Sequence, residues 1–311
     1  MNNFSWFLKE IVFSKVSRKE LLVSLQLSHP EFHGLDAITL SRWANNITKP
    51  SLYKQLLLAK SSDSLKEFIE KCEEPKVTHA TNRVYGNFIR RLDDPYFKVL
   101  LPSNADDKVY YFNGNNFSGE PIHKSRSFRL QFDDVLNETL RKRNKSLNYE
   151  IFYTSTNKGK DATSFITFTR DVLKVFSSLS ISTVDSPDVD FDKACLITLS
   201  FYKSKENYSL LTGLLLNHAL EHYRSLETVF LVIRGREGME WWEHIGAEYF
   251  STLLISEDIG NCYIYKVDFY KVFGNPLMFK FLKDAFKLYH HRAKSDYEQG
   301  ILEEKLDIGR S

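Results

Sequence analysis

Apolar residues at Phe4, Phe7, Leu8, Ile11 and Val12 recur at the spacing of one helix face, so the chain opens with a helix. Ser17 stands three residues before Glu20 and just ahead of Leu21, Leu22 and Leu25. That is the pattern of a capping box, in which each residue satisfies the other's orphan amide, and it starts a second helix. His29-Pro30 and Phe32-His33-Gly34 interrupt the period and make a turn. A third helix is expected over 35–46, with Leu40, Trp43, Ala44 and Ile47 inward and Thr39, Ser41, Arg42 and Asn45 outward. Lys49-Pro50 breaks it, Ser51 caps a fourth helix, and Leu52, Leu56, Leu57 and Ala59 give that helix its apolar stripe.

After a charged stretch ending at Glu73-Glu74-Pro75 the period changes. Strands are expected over 96–101, 108–112, 128–132, 149–154 and 164–169, with a turn at 113–116 and a helix at 133–142. The run 194–202 is a buried-type strand; a helix at 208–224, a strand at 229–233, a short helix at 239–244 and a strand at 246–250 follow. Such alternation is an α/β arrangement whose first crossover makes a parallel pair. From Pro276, the residues Met278, Phe279, Phe281, Leu282, Phe286 and Tyr289, then Ile301, Leu302 and Leu306, predict amphipathic helices that pack on their own domain or on a second chain.

These patterns give an α+β multidomain protein: an all-α domain at 1–75, an α/β mixed-sheet domain at 76–275 and a helical tail at 276–311. With 42% hydrophobic residues among 311, each domain has the means to bury a core, which excludes a disordered or fibrous chain. The formal net charge of +2 gives no overall field toward nucleic acid or anionic lipid. Locally the balance differs: residues 1–60 hold eight Lys or Arg against four Asp or Glu. Cys72, Cys195 and Cys262 form no CxxC or Cys/His cluster, so no metal site or disulfide framework is expected and a reducing, cytoplasmic setting fits. Neither a leader nor a membrane span is read in the sequence.

The run from Thr39 through Leu40, Ser41, Arg42, Trp43 and Ala44 to Asn45-Asn46, followed by Lys49-Pro50-Ser51 and Leu56, resembles the recognition-helix end of Cro/XRE-type, lambda-repressor-like helix-turn-helix proteins. The resemblance covers about residues 15–60; the turn at 28–35 is longer than usual, and Asn46 stands where the family prefers glycine. It implies a sequence-specific transcriptional regulator that binds double-stranded DNA as a homodimer across two half-sites. On that basis Arg42 is placed at a guanine edge, Thr39, Ser41 and Asn45 at bases or phosphates, and Lys49 and Lys54 on the backbone.

The element order over 190–265, with Trp242-Glu243-His244-Ile245-Gly246-Ala247, resembles the second half of the GNAT acetyltransferase fold. In that family a glycine-rich loop presents amides to the coenzyme A pyrophosphate. The aligned run Tyr208 to Gly213 keeps Gly213 alone, with Leu211 at a glycine position, and the general-acid tyrosine falls at Trp242. Gly213 is therefore a cofactor contact only if acetyl-CoA binds, no catalytic residue is assigned, and the domain is read as a silent fold that dimerises or senses a ligand or partner. A GNAT-like acyltransferase and a non-catalytic interaction adaptor are the alternatives. His218 and His222, four apart, are read as helix-surface histidines, Gly235 to Gly238 as a strand-to-helix turn, and the basic runs at 141–145 and 287–294 as solvated.

Overall fold

The computed structural model describes residues 3–90, 108–114, 147–155, 162–183, 188–256 and 260–292. The expected strands at 96–101 and 128–132, the helix at 133–142, the basic run 141–145 and the chain after residue 292 lie outside the described residues. The protein is α+β, with helices followed by a mixed sheet flanked by helices. It divides into two units, one of Met1–Thr78 with Tyr270–Lys283, the other of His79–Phe269 with Asp284–Ser311.

The first unit begins with α1 (Phe4–Phe7), started by Asn3, whose side chain accepts from the Trp6 amide at 2.9 Å. A π turn (Leu8–Val12) and α2 (Phe13–Lys15) continue it. In α3 (Arg18–Ser28) the capping box forms, with the Glu20 amide donating to Ser17 Oγ at 3.3 Å and the Ser17 amide to Glu20 at 3.1 Å. A 3-10 turn (Pro30–Phe32) buries Phe32 and leads to α4 (Ala37–Ala44). Next come α5 (Leu52–Ser61), capped by Ser51, and α6 (Leu65–Lys71). The core joins Phe4, Phe7 and Phe68, and Phe68 meets Phe279 with ring centroids 5.9 Å apart. Residues 270–283 thus complete the helical unit.

The second unit starts with α7 (His79–Ile89) and, among the described residues, carries seven strands: β1 (Lys108–Gly114), β2 (Tyr149–Ser155), β3 (Ala162–Thr169), β4 (Ala194–Phe201), β5 (Thr228–Ile233), β6 (Glu248–Ser256) and β7 (Gly260–Asp268). They run in the order β1-β2-β3-β4-β5-β7-β6. β4 and β5 are parallel and the other neighbours antiparallel. The intervening helices are α8 (Val172–Ser178), α9 (Lys205–His222) and α10 (Arg236–Ile245). α11 (Phe269–Gly274) and α12 (Pro276–Arg292) close the described chain.

Alternating strand residues feed two apolar layers. Phe152, Ile166 and Phe168 pack on Leu211, Leu214 and Leu215 of α9 and on Ala285 and Tyr289 of α12. Ile151, Phe165, Leu196 and Phe230 pack with Val172, Val175 and Phe176 of α8.

Several local expectations change. Ile47 is 65% exposed rather than inward, because α4 ends at Ala44 and Asn46 takes a left-handed φ of 56°, which turns the chain off the helical stripe. β1 runs on through Asn113 and Gly114, where a turn is expected. α9 begins three residues before the expected start at residue 208, since Ser204 rather than a later residue caps it. β7 has no counterpart in the sequence reading; it forms a hairpin with β6 and inserts between β5 and β6.

Candidate functional site

In the helical unit, α4 is fixed from both ends. The Asp36 side chain accepts from the Thr39 amide at 2.6 Å, while Ser5 Oγ donates to the Ala44 carbonyl at 2.5 Å. The Thr39 backbone N–H and hydroxyl, helped by the Ile38 amide and the Arg42 charge, hold the Asp36 carboxyl below its usual range. A negative charge at a helix N-terminus also suits the macrodipole. Leu40, Trp43 and Ala44 are buried, so the opposite face of the helix is presented to solvent.

That face carries Ser41, Arg42 and Asn45, with Asn45 Nδ2 donating to Ser41 Oγ at 3.5 Å. Arg42, Asn45 and Lys49 are exposed and Ser41 and Thr39 half-buried. Lys54 stands apart: it is half-buried and ion-paired with Glu31 at 3.3 Å. Ile38, which the periodicity did not single out, shares the Arg42 face and is 70% exposed. Pro50 is buried, and its carbonyl accepts from Gln55 Nε2 at 2.8 Å, which anchors the segment carrying Lys49.

In the sheet unit the parallel strands pair only from Ala194↔Thr228 to Ile197↔Leu231, and β4 continues to Phe201 against β3. The carboxyl ends of parallel strands are where open α/β sheets bind ligands. Here that end of β4 meets aromatic side chains. Tyr202 packs edge-on to Tyr208 at 4.9 Å, Tyr208 Oη accepts from Trp241 Nε1 at 3.0 Å, and Phe88 of α7 packs on both Tyr208 and Trp241. Burial pushes the Tyr202 phenol up to about 12 and raises that of Tyr208 as well. Gly213 lies buried more than two turns into α9, so its amide belongs to the helix ladder, and its carbonyl accepts from Asn217 Nδ2 at 2.8 Å. Trp242 is half-buried on α10. Gly235, at a φ of 91°, starts that helix as the strand-to-helix turn expected there.

A third group of polar residues is buried. Glu150 of β2 faces His218 of α9 at 2.8 Å and accepts from Tyr111 Oη at 2.5 Å. The other ring nitrogen of His218 lies 3.2 Å from Tyr289 Oη. Glu150, His218 and Tyr289 are each at most 5% exposed. His222, one turn along, is exposed, and its ring centroid is 4.4 Å from that of His218. His218 is therefore not the surface histidine that the spacing suggested. α9 buries every residue from Leu211 to Ala219, so that stretch of the helix has no solvent face for His218 to occupy. The signal that was available is Glu150 itself, a carboxylate inside the apolar run of β2 that demands a polar partner.

Among the described residues, no three His, Cys, Asp or Glu side chains are grouped to hold a metal ion, and no helix is long and apolar enough to cross a membrane. No protein-family model matches the chain, and no curated protein matches it.

Proposed function

We propose that the helical unit is a helix-turn-helix reader of double-stranded DNA and that the protein is a sequence-specific transcriptional regulator. One observation carries this reading. α4 follows α3 across residues 29–36, which include the 3-10 turn Pro30–Phe32, buries Leu40, Trp43 and Ala44, and offers Ser41, Arg42 and Asn45 together on its open face. A guanidinium and a carboxamide on one helical stripe match the donor and acceptor pattern of the major groove, and exposed Lys49 adds a phosphate contact. Lys54, ion-paired with Glu31, is a weaker phosphate contact than the exposed Lys49. A homodimer reading two half-sites is part of the proposal.

The test is selection of the protein against random duplexes at fixed moderate salt, with Arg42→Ala as control. An enriched site that the variant loses is the expected result. No enrichment, or the same enrichment by the variant, overturns the reading.

For the sheet unit we infer a GNAT-like fold without acyl transfer, which dimerises or senses a ligand or partner. The order β4-α9-β5-α10-β6 and the short parallel pairing support the fold resemblance. The aromatic residues at the carboxyl end of β4 and the placement of Gly213 inside α9 weigh against a coenzyme A cradle. Saturable acetyl-CoA binding would restore the acyltransferase alternative. Loss of both DNA and acetyl-CoA binding, with a co-purifying protein, would favour the adaptor.

A further inference from the structure

Ile38 is an apolar side chain left in the open. It is the second residue of α4, and its 70% exposure contrasts with the buried Leu40 and Trp43 close by. A β-branched residue there gains little from burial and is a poorer helix former than alanine, so neither packing nor propensity accounts for it.

Its position is more informative than its exposure. At i, i+3, i+4 and i+7 the stripe reads Ile38, Ser41, Arg42 and Asn45, one apolar residue among three hydrogen-bonding ones. A protein-docking patch would continue the apolar character along the stripe. Val23 and Leu27, also exposed, belong to α3, and Ile47 lies beyond the end of α4. A surface that reads base edges mixes the two chemistries, because the major groove displays donors and acceptors together with one apolar mark, the thymine C5-methyl. Recognition helices meet base edges through their N-terminal residues, and Ile38 is in the first turn of α4. Exposed Arg42, one turn on from Ile38, brings a positive charge that suits a polyanion.

We propose that Ile38 is a specificity-determining residue that buries a thymine methyl group in the major groove, next to the base pair addressed by Arg42. The inference rests on the DNA-reading proposal above.

The experiment uses the full chain and the duplex recovered by selection, with each thymine replaced in turn by deoxyuridine, which lacks the methyl and keeps its pairing. One replacement per half-site is expected to weaken binding about fourfold, the effect of losing one methyl-sized burial. The same replacement should change binding by Ile38→Ala less than twofold. That variant keeps its helix, since alanine favours it, and circular dichroism verifies this. Deoxyuridine tolerated by the wild type at every position, or a loss undiminished in Ile38→Ala, overturns the assignment while Arg42-dependent binding leaves the DNA-reading proposal standing. Failure to recover any Arg42-dependent duplex overturns both.

Discussion

Glu150→Ala removes the carboxylate at the centre of the buried cluster and leaves two polar partners behind. Tyr111 Oη loses the acceptor it reaches at 2.5 Å, and His218, 5% exposed, loses the oxygen 2.8 Å from its ring. A buried hydrogen-bonding group that loses its partner costs about 1–3 kcal/mol of desolvation. His218 is 5% exposed and gains little from solvent, whereas half-buried Tyr111 is softened by water, so His218 carries most of the loss. A deficit of about 3 kcal/mol is a large share of the 5–15 kcal/mol typical of a folded domain. Glu150→Gln keeps an acceptor oxygen and is expected to cost less, about 1–2 kcal/mol. Urea-dependent hydrogen exchange of the β2 and α9 amides reports the sheet unit separately from the helical one. A Glu150→Ala deficit below about 1 kcal/mol would refute the reasoning, because the stranded groups would then have found water.

Three further outcomes follow from the same geometry. Lys49→Ala should weaken duplex binding similarly for all sequences and reduce the slope of log K against log salt by about one, and an unchanged slope would remove Lys49 from the phosphate contacts. Burial pushes the Cys72 and Cys195 thiols up to about 12 and raises Cys262 as well, so the native protein should resist a disulfide-exchange reagent at pH 8 and react at all three cysteines in urea. Fast reaction of the folded protein would contradict that. Desolvation, and secondarily the neighbouring His218, lowers His222 below its usual 6.5, so the unfolded chain binds the proton more readily. Stability from this group is complete above pH 6.5 and falls as pH drops from there toward the lowered folded value; His222→Gln should flatten the slope between pH 7.5 and 5.5, and an identical slope would discount it.

What was legible in the sequence is what short range decides. Ser17 with Glu20 and Ser51 with Lys54 form their caps within a single turn, and each was readable from residue type and spacing. The apolar runs at β4 and β5, with the helix between them, were equally plain. β7 was not, because Cys262, Ile264, Tyr265 and Val267 are all buried, and a strand covered on both faces shows no clean alternation. At the candidate site, Arg42 and Asn45 stood out by type and period. Ile38 did not, since an apolar residue in a helical window reads as core until the direction of its face is known. The ties between Glu150, His218 and Tyr289 join residues more than sixty positions apart, beyond the reach of any local pattern.

The aromatic contact between Phe68 and Phe279 has a consequence for the order of synthesis. Residues 270–283 belong to the helical unit: Lys60 sits over the Tyr270 ring at 4.3 Å, and Lys283 Nζ donates to the Cys72 carbonyl. Translation makes the proposed DNA-contacting residues early in this unit, yet roughly two hundred more must be added before the unit's core is complete. A nascent chain released before residue 283 would carry Ser41, Arg42 and Asn45 on an unfinished scaffold, so the stretch 270–283, made well after those helices, completes the proposed reader.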